Sequence, residues 1–267
     1  MTGLPKRLLG CDLAMQTKTL NKTAVLPWLA IAAFLGLWQA AAGFYTPEQL
    51  PGPAKVWAGL LELADTGVLW EHIQVSLIRF TISYSLALLV AIPLGLFLGW
   101  HTYSLQALGP ILQILRPISP IAWFPLAVLW FGVGNAPAIF IIFLSAFFPV
   151  LLSTISAVRK VDPVYIKVAR NFGVGKTMLF TKIVIPAAFP YIMIGLNIAI
   201  GVAWIHLVAG EMLGAQSGLG YLIVDSRNFL RTDWIMGGML VVGLLGLFIN
   251  TIIGWAEKEI NRKWGVG

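Results

Sequence analysis

A chain of 267 residues has room for one or two soluble domains, yet 58% of it is apolar, only 11% is charged and its mean hydropathy is +0.85. These values lie far outside the soluble average and point to a lipid bilayer as the solvent. A single cysteine, Cys11, excludes an internal disulfide and suggests no metal cluster, and the net charge of +7 needs no nucleic acid to explain it once the placement of the basic residues is considered.

Residues 1–22 form a polar, basic tail without a periodic pattern, and no regular structure is assigned to them. The next 25 residues, 23–47, carry no charge; this exceeds the 7–15 residues usual for the core of a signal peptide, so the segment reads as a retained first membrane helix. In LPGPAKVWAGLLELADTG (50–67), Pro53 marks a helix start, with Val56, Leu60, Leu61 and Ala64 on one face, which predicts an interfacial helix on the outer side.

Four further stretches lack Asp, Glu, Lys and Arg for more than 20 residues: 80–115, 117–158, 183–210 and 234–256. The first would make a rod of roughly 54 Å against a hydrocarbon core of about 30 Å, so a break is expected within HTYSLQALGP (101–110), leaving one span and an interfacial piece. Pro93 is expected to kink that span, and Gly95-x-x-x-Gly99 reads as a surface for close helix packing within the chain. The second stretch divides at FGVGNAP (131–137), a glycine-rich turn between two helices, which brings the total to six spans. Its opening, RPISPIAWFP (116–125), holds Pro117, Pro120 and Pro125 and reads either as irregular backbone walling a pathway or as a proline-capped helix start.

Short cytoplasmic loops retain Lys and Arg. With the N-terminus inside, 14 of the 18 basic residues fall on the inner side, giving +10 there and −3 outside. Both termini are then cytoplasmic, with a tail at 1–22, a membrane domain at 23–256 and a second tail at 257–267.

The inner loop 159–182 holds six basic residues and one acid and contains GVGKT (173–177), the sequence with which a phosphate-binding loop closes. Arg170 stands where that motif needs its first glycine, and no buried strand precedes it. LIVD (222–225), the other half of an imagined nucleotide site, falls in the outer loop with a bilayer between. The loop reads instead as two short helical pieces about Gly173 on the inner surface, with Pro186 opening the fifth span.

In that span Asn197, Trp204 and Glu211 recur every seven residues and share a face with Gly201, while His206 points the opposite way. The Asn197 face is the expected lining of a pathway, since intramembrane polar residues usually face a bundle interior or cavity; His206 reads as a packing or hydrogen-bonding residue.

The inner loop resembles the coupling motif of ATP-binding-cassette importer permeases. Lys167-Val168-Ala169, three residues, Gly173, nine residues, then Ile183-Val184-Ile185-Pro186 reproduces its spacing, with Lys167 and Val168 departing from the usual Glu and Ala. The resemblance continues through LPGPAKVW, RPISPIAWFPLAVLWFGVG, FFPVLLST and AGEMLGAQSGLGYLIVDSRN, and is nearest to permeases for nitrate, bicarbonate, taurine and alkanesulfonates. It implies an all-α, six-span permease of the bacterial inner membrane, without catalytic residues or cofactor of its own. A second permease copy, ATPase subunits and a soluble binding protein would be its partners.

On this reading Lys167, Val168, Ala169, Arg170, Gly173 and Pro186 serve ATPase coupling. Asn197, Gly201, Trp204 and Glu211, with Pro120 and Trp123 of the proline cluster, line the translocation pathway. The substrate branch stays open between sulfonate or taurine and nitrate or bicarbonate. The alternative, a secondary transporter or channel acting alone, calls for mid-span acids or an inverted repeat, and neither is evident.

Overall fold

The computed structural model describes residues 9–263, and all regular structure among them is helical. Residues 1–8 and 264–267, the outer parts of the two expected tails, lie outside the described residues. The first helix, α1 (Leu9–Ala42), starts well before the uncharged stretch at Thr23, which corrects the expectation of an unpatterned tail through 22. Once an apolar span is helical, adding residues such as Ala14, Met15, Gln16 and Leu20 is cheap, because nucleation has already been met.

A short helix, α2 (Pro53–Asp65), begins at the expected proline. Its inward stripe is Val56, Gly59 and Leu63, whereas Leu61 points away. This differs from the face read in the sequence because Gly59 lets α2 settle on Asp233 and Trp234; a Cβ there would lie 2.7 Å from the Asp233 carboxylate.

The helix α3 (Val68–Trp100) is 33 residues long and continues through Pro93 to the expected break at His101. There follow α4 (Thr102–Leu115), a tight 3-10 turn over Pro120–Trp123, and α5 (Phe124–Phe131). The turn and α5 together rise only about 20 Å, too little to cross the hydrocarbon core alone. Five helices are long and apolar enough to cross, and the expected six are reached when α4 and the turn with α5, bent by 86°, count as one broken span. Pro117, Pro120 and Pro125 in nine residues explain the bend, since each lacks a backbone donor and clashes with the preceding turn.

Gly132 and Gly134, both at positive φ, form the turn into α6 (Asn135–Arg159). Two short helices follow, α7 (Pro163–Asn171) and α8 (Lys176–Leu179). A π turn at Phe180–Val184 joins α8 to α9 (Ile185–Gly214). The helical run thus extends unbroken from Lys176 to Gly214, and Pro186 lies inside it rather than opening it. The widened turn, with Ile185 N–H bonded to the Phe180 carbonyl, provides the room that the Pro186 ring needs. The chain ends with α10 (Leu219–Asn228) and α11 (Thr232–Lys263).

The core is the bundle of α3, α6 and α9, and it is made with small residues. Ala87, Ala91 and Gly95 of α3 meet Ala146, Val150 and Thr154 of α6, and Ala199 and Ala203 of α9 close the third side. A Cβ on Gly95 would sit 2.6 Å from Thr154 Cβ, and one on Gly99 2.7 Å from Val158 Cβ. The Gly-x-x-x-Gly spacing is thereby spent on packing within the chain. By contrast, none of Val25–Ala42 in α1 is buried, and Trp38 Nε1 ties it to the body by donating to the Pro51 carbonyl at 3.1 Å.

Candidate functional site

Three features stand out beyond packing. The first is the loop of α7 and α8. Asp162 caps α7 by accepting from Val164 N–H at 2.8 Å, and Pro163 sits in the first turn, where no donor is needed. Gly173 adopts φ +74°, a left-handed value that ends α7 and turns the chain into α8. On its inner face Ala169 packs with Val158, Leu179 and Val184. On its outer face Tyr165, Val168 and Phe172 form an exposed stripe at helical spacing, Phe172 being 83% exposed, with Lys167 and Arg170 beside it.

Among the sequence-chosen coupling residues, then, Lys167, Val168 and Arg170 face outward, Ala169 faces the bundle, Gly173 forms the turn and Pro186 lies within the long helix. The suspected nucleotide motif is dispersed as well. Lys176 starts the 39-residue run whose other end holds Glu211 and, packed beside it, α10 with Asp225, so about 50 Å of helix separates the two halves.

The second feature is a buried charge network that joins α3, α6, α9 and α10 at that far end. Arg79 pairs with Glu211, and the side chains are 2% and 0% exposed. Glu211 also accepts from Ser76 Oγ at 2.8 Å and from Gly220 N–H at 2.9 Å; Arg79 donates on to Asn135 Oδ1 at 2.5 Å and to the Ser217 carbonyl at 3.1 Å. A Cβ on Gly220 would approach Glu211 Cβ to 2.7 Å, so the glycine is what allows α10 to reach the carboxylate. Arg79, Asn135 and Ser76 were not singled out in the sequence. The available signal was that Arg79 and Glu211, opposite in charge, end two uncharged runs on the same side of the membrane.

The third feature is a groove of about 410 Å³ between the start of the 3-10 turn, α6 and α9. Arg116, Pro120, Ser145, Ser153, Ile198 and His206 are among its lining residues. The expected lining residues of α9 lie apart from this groove. Trp204 lies in the core against Phe80, its Nε1 donating to the Val242 carbonyl at 3.1 Å, and Glu211 is locked in the charge network. Asn197 and Gly201 are half-buried, and a Cβ on Gly201 would meet nothing within 4 Å. The concave side is the one His206 occupies, its Nδ1 2.8 Å from the Val202 carbonyl of its own helix. Of the proline-cluster pair, Pro120 borders the groove, whereas Trp123 stacks near Trp130.

An all-helical membrane bundle with a basic, half-docked loop at one end and a groove between spans is the architecture of a membrane transport subunit. The chain belongs to the binding-protein-dependent transport system inner membrane component family, whose model matches residues 91–266. It is 32% identical over 253 residues to the taurine transport system permease protein of Escherichia coli, covering 92% of each chain. It is 34% identical over 250 residues to the nitrate import permease protein of Synechococcus elongatus, covering 88% of this chain and 90% of that one. Its fold matches an inward-facing structure of the MetNI methionine transporter with a TM-score of 0.62 at 18% identity, covering 74% of this chain and 96% of that one. The protein is accordingly a membrane-embedded permease subunit of an ATP-binding-cassette importer, a family that works with ATPase and substrate-binding partners.

Proposed function

We propose that this chain forms, as a homodimer, the translocation pathway for a small anion or organosulfur compound of the sulfonate, taurine, nitrate or bicarbonate type. It would be driven by a separate ATPase and fed by a soluble binding protein. The observation that carries the coupling role is the exposed stripe of Tyr165, Val168 and Phe172 on α7. Apolar residues left open in a segment crowded with Lys160, Lys167, Arg170 and Lys176 are what a protein partner covers. The same charge supports a cytosolic loop, with both termini on that side.

Support for the substrate class comes from the relatives' names and from the groove. Arg116 and His206 are present on its wall and no Asp or Glu is, a distribution suited to an anion. The pathway is assigned to the His206 side of α9 with Pro120. Selectivity rests chiefly with the binding protein, because the membrane groove offers few fixed donors.

The test is reconstitution of the chain with its cognate ATPase and binding protein. Val168→Asp places a charge in the stripe and is expected to abolish ATPase co-purification and stimulated hydrolysis. Parental stimulation in that variant would overturn the coupling role. Uptake that fails to follow an exchanged binding protein would overturn the placement of selectivity.

A further inference from the structure

Beside the loop, α3 and α8 leave a second crevice of about 480 Å³ that the transport reading does not use. Its α3 wall runs from Pro93 to His101, about 12 Å along the helix axis. Chemistry changes along that length. At the Pro93 end the lining is hydrocarbon, with Leu96 and Phe97; at the His101 end it is polar, with Lys176 and Thr177 of α8 facing across.

The polar end is rich in unspent donors. Lys176 makes no ion pair among the described residues, and the Thr177 hydroxyl and Trp100 Nε1 have no hydrogen-bond partner among them. Trp100 is fixed by ring contact with Phe180 at 5.2 Å, which ties α3 to the π turn. His101 is fixed by its ring contact with Phe97 at 4.6 Å and by Nδ1, 3.1 Å from the Phe97 carbonyl. No carboxylate lines the crevice.

We propose that this crevice binds one anionic phospholipid, with its phosphate on Lys176, Thr177 and the Trp100 indole N–H and an acyl chain against the Pro93 end. A free phosphate would meet the donors but leave the hydrocarbon wall wet, and a zwitterionic lipid would fill the wall without net charge for Lys176. The polar-to-apolar gradient parallel to α3 is the gradient of a lipid entering the bilayer from the surface. The assignment to the cytoplasmic leaflet rests on the sidedness proposed above; the binding itself does not. A lipid there would touch both the coupling loop and the core helix α3, so membrane charge becomes an input to coupling. This also gives the GVGKT segment a role in phosphate contact without a nucleotide.

The test is native mass spectrometry of the full chain released from detergent after titration with phosphatidylglycerol or phosphatidylcholine of identical acyl chains. One basic residue at a membrane surface corresponds to about a fivefold preference for the anionic lipid. Retention of phosphatidylglycerol is expected to exceed that of phosphatidylcholine by about that factor, and Lys176→Gln is expected to erase the difference. Lys160→Gln, on the same end but outside the crevice, should leave it intact, and Leu96→Trp should lower retention of both lipids.

Equal retention of the two lipids, or equal effects of the two lysine substitutions, would overturn the site. Displacement of phosphatidylglycerol by millimolar inorganic phosphate would show an anion site without lipid selectivity and overturn the assignment as well. Labelling of a thiol at position 176 from outside intact cells would sink the proposed sidedness, yet leave these lipid measurements standing.

Discussion

Replacing Glu211 by Met is the perturbation whose consequence the structure defines best. The substitution leaves the Arg79 guanidinium, 3% exposed as a residue, charged and without its carboxylate. Removing one member of a buried pair costs about 3–5 kcal/mol, because the remaining charge stays desolvated. Arg79→Met should cost a similar amount by stranding Glu211. The double variant leaves no buried charge. It still orphans Gly220 N–H and the Ser217 carbonyl, which accepts from Arg79 at 3.1 Å, so about 1–3 kcal/mol should remain. The assay is a double-mutant cycle of reversible unfolding in mixed detergent micelles, read by loss of helix signal. A double variant at least as damaged as the two single losses added together would refute the reasoning, as would a Glu211→Met cost under about 1 kcal/mol.

Three further outcomes are expected. Gly220→Ala should destabilise by about 1–3 kcal/mol in the same unfolding assay, since its Cβ would press on Glu211 and on backbone of α9. Glu62 on α2 faces Arg231, whose guanidinium holds the carboxyl below the usual carboxylate range. A depressed carboxyl contributes its tie above the ordinary value and loses it as pH falls through the lowered one. Amide-exchange protection of α2 should therefore hold through the neutral range and fall only as pH drops below the ordinary carboxylate range, while Glu62→Gln should show the weakened protection throughout. Lys167→Glu reverses an exposed charge on α7 and should weaken co-purification with the cognate ATPase; improved assembly would contradict an acidic or uncharged groove opposite Lys167.

The membrane class, the outer helix at Pro53, the break at His101, the glycine turn at 132–134 and the two-part loop around Gly173 could all be read from the sequence, because each is announced by residues that act locally. Charge ends a span, proline denies a donor, glycine permits a positive φ. The third crossing could not be read that way. An uncharged run of 42 residues looks long enough for two rods, and only the direction of the chain after Pro117 shows that one is folded over.

Residue spacing also correctly put Asn197, Trp204 and Glu211 on one side of α9 and His206 on the other. Which side is packed and which is concave depends on where α3, α6 and α11 lie, and periodicity carries no record of that. The usual expectation that buried polar groups mark a passage misleads here, because Trp204 and Glu211 spend their polarity on the Val242 carbonyl and Arg79. Arg79 itself was counted as a span boundary, since a charge at a helix end and a charge folded under a neighbouring helix look alike along the chain.

The helical run from Lys176 to Gly214 has a mechanical consequence. Its 39 residues amount to roughly 58 Å of axle, with one end set in the basic loop and the other clamped by the arginine lock. Between them the π turn is a built-in weak joint rather than a gap. A twist applied at the loop end would reach the far rim only through this run, and the five-residue collar at Phe180–Val184 is where its winding changes.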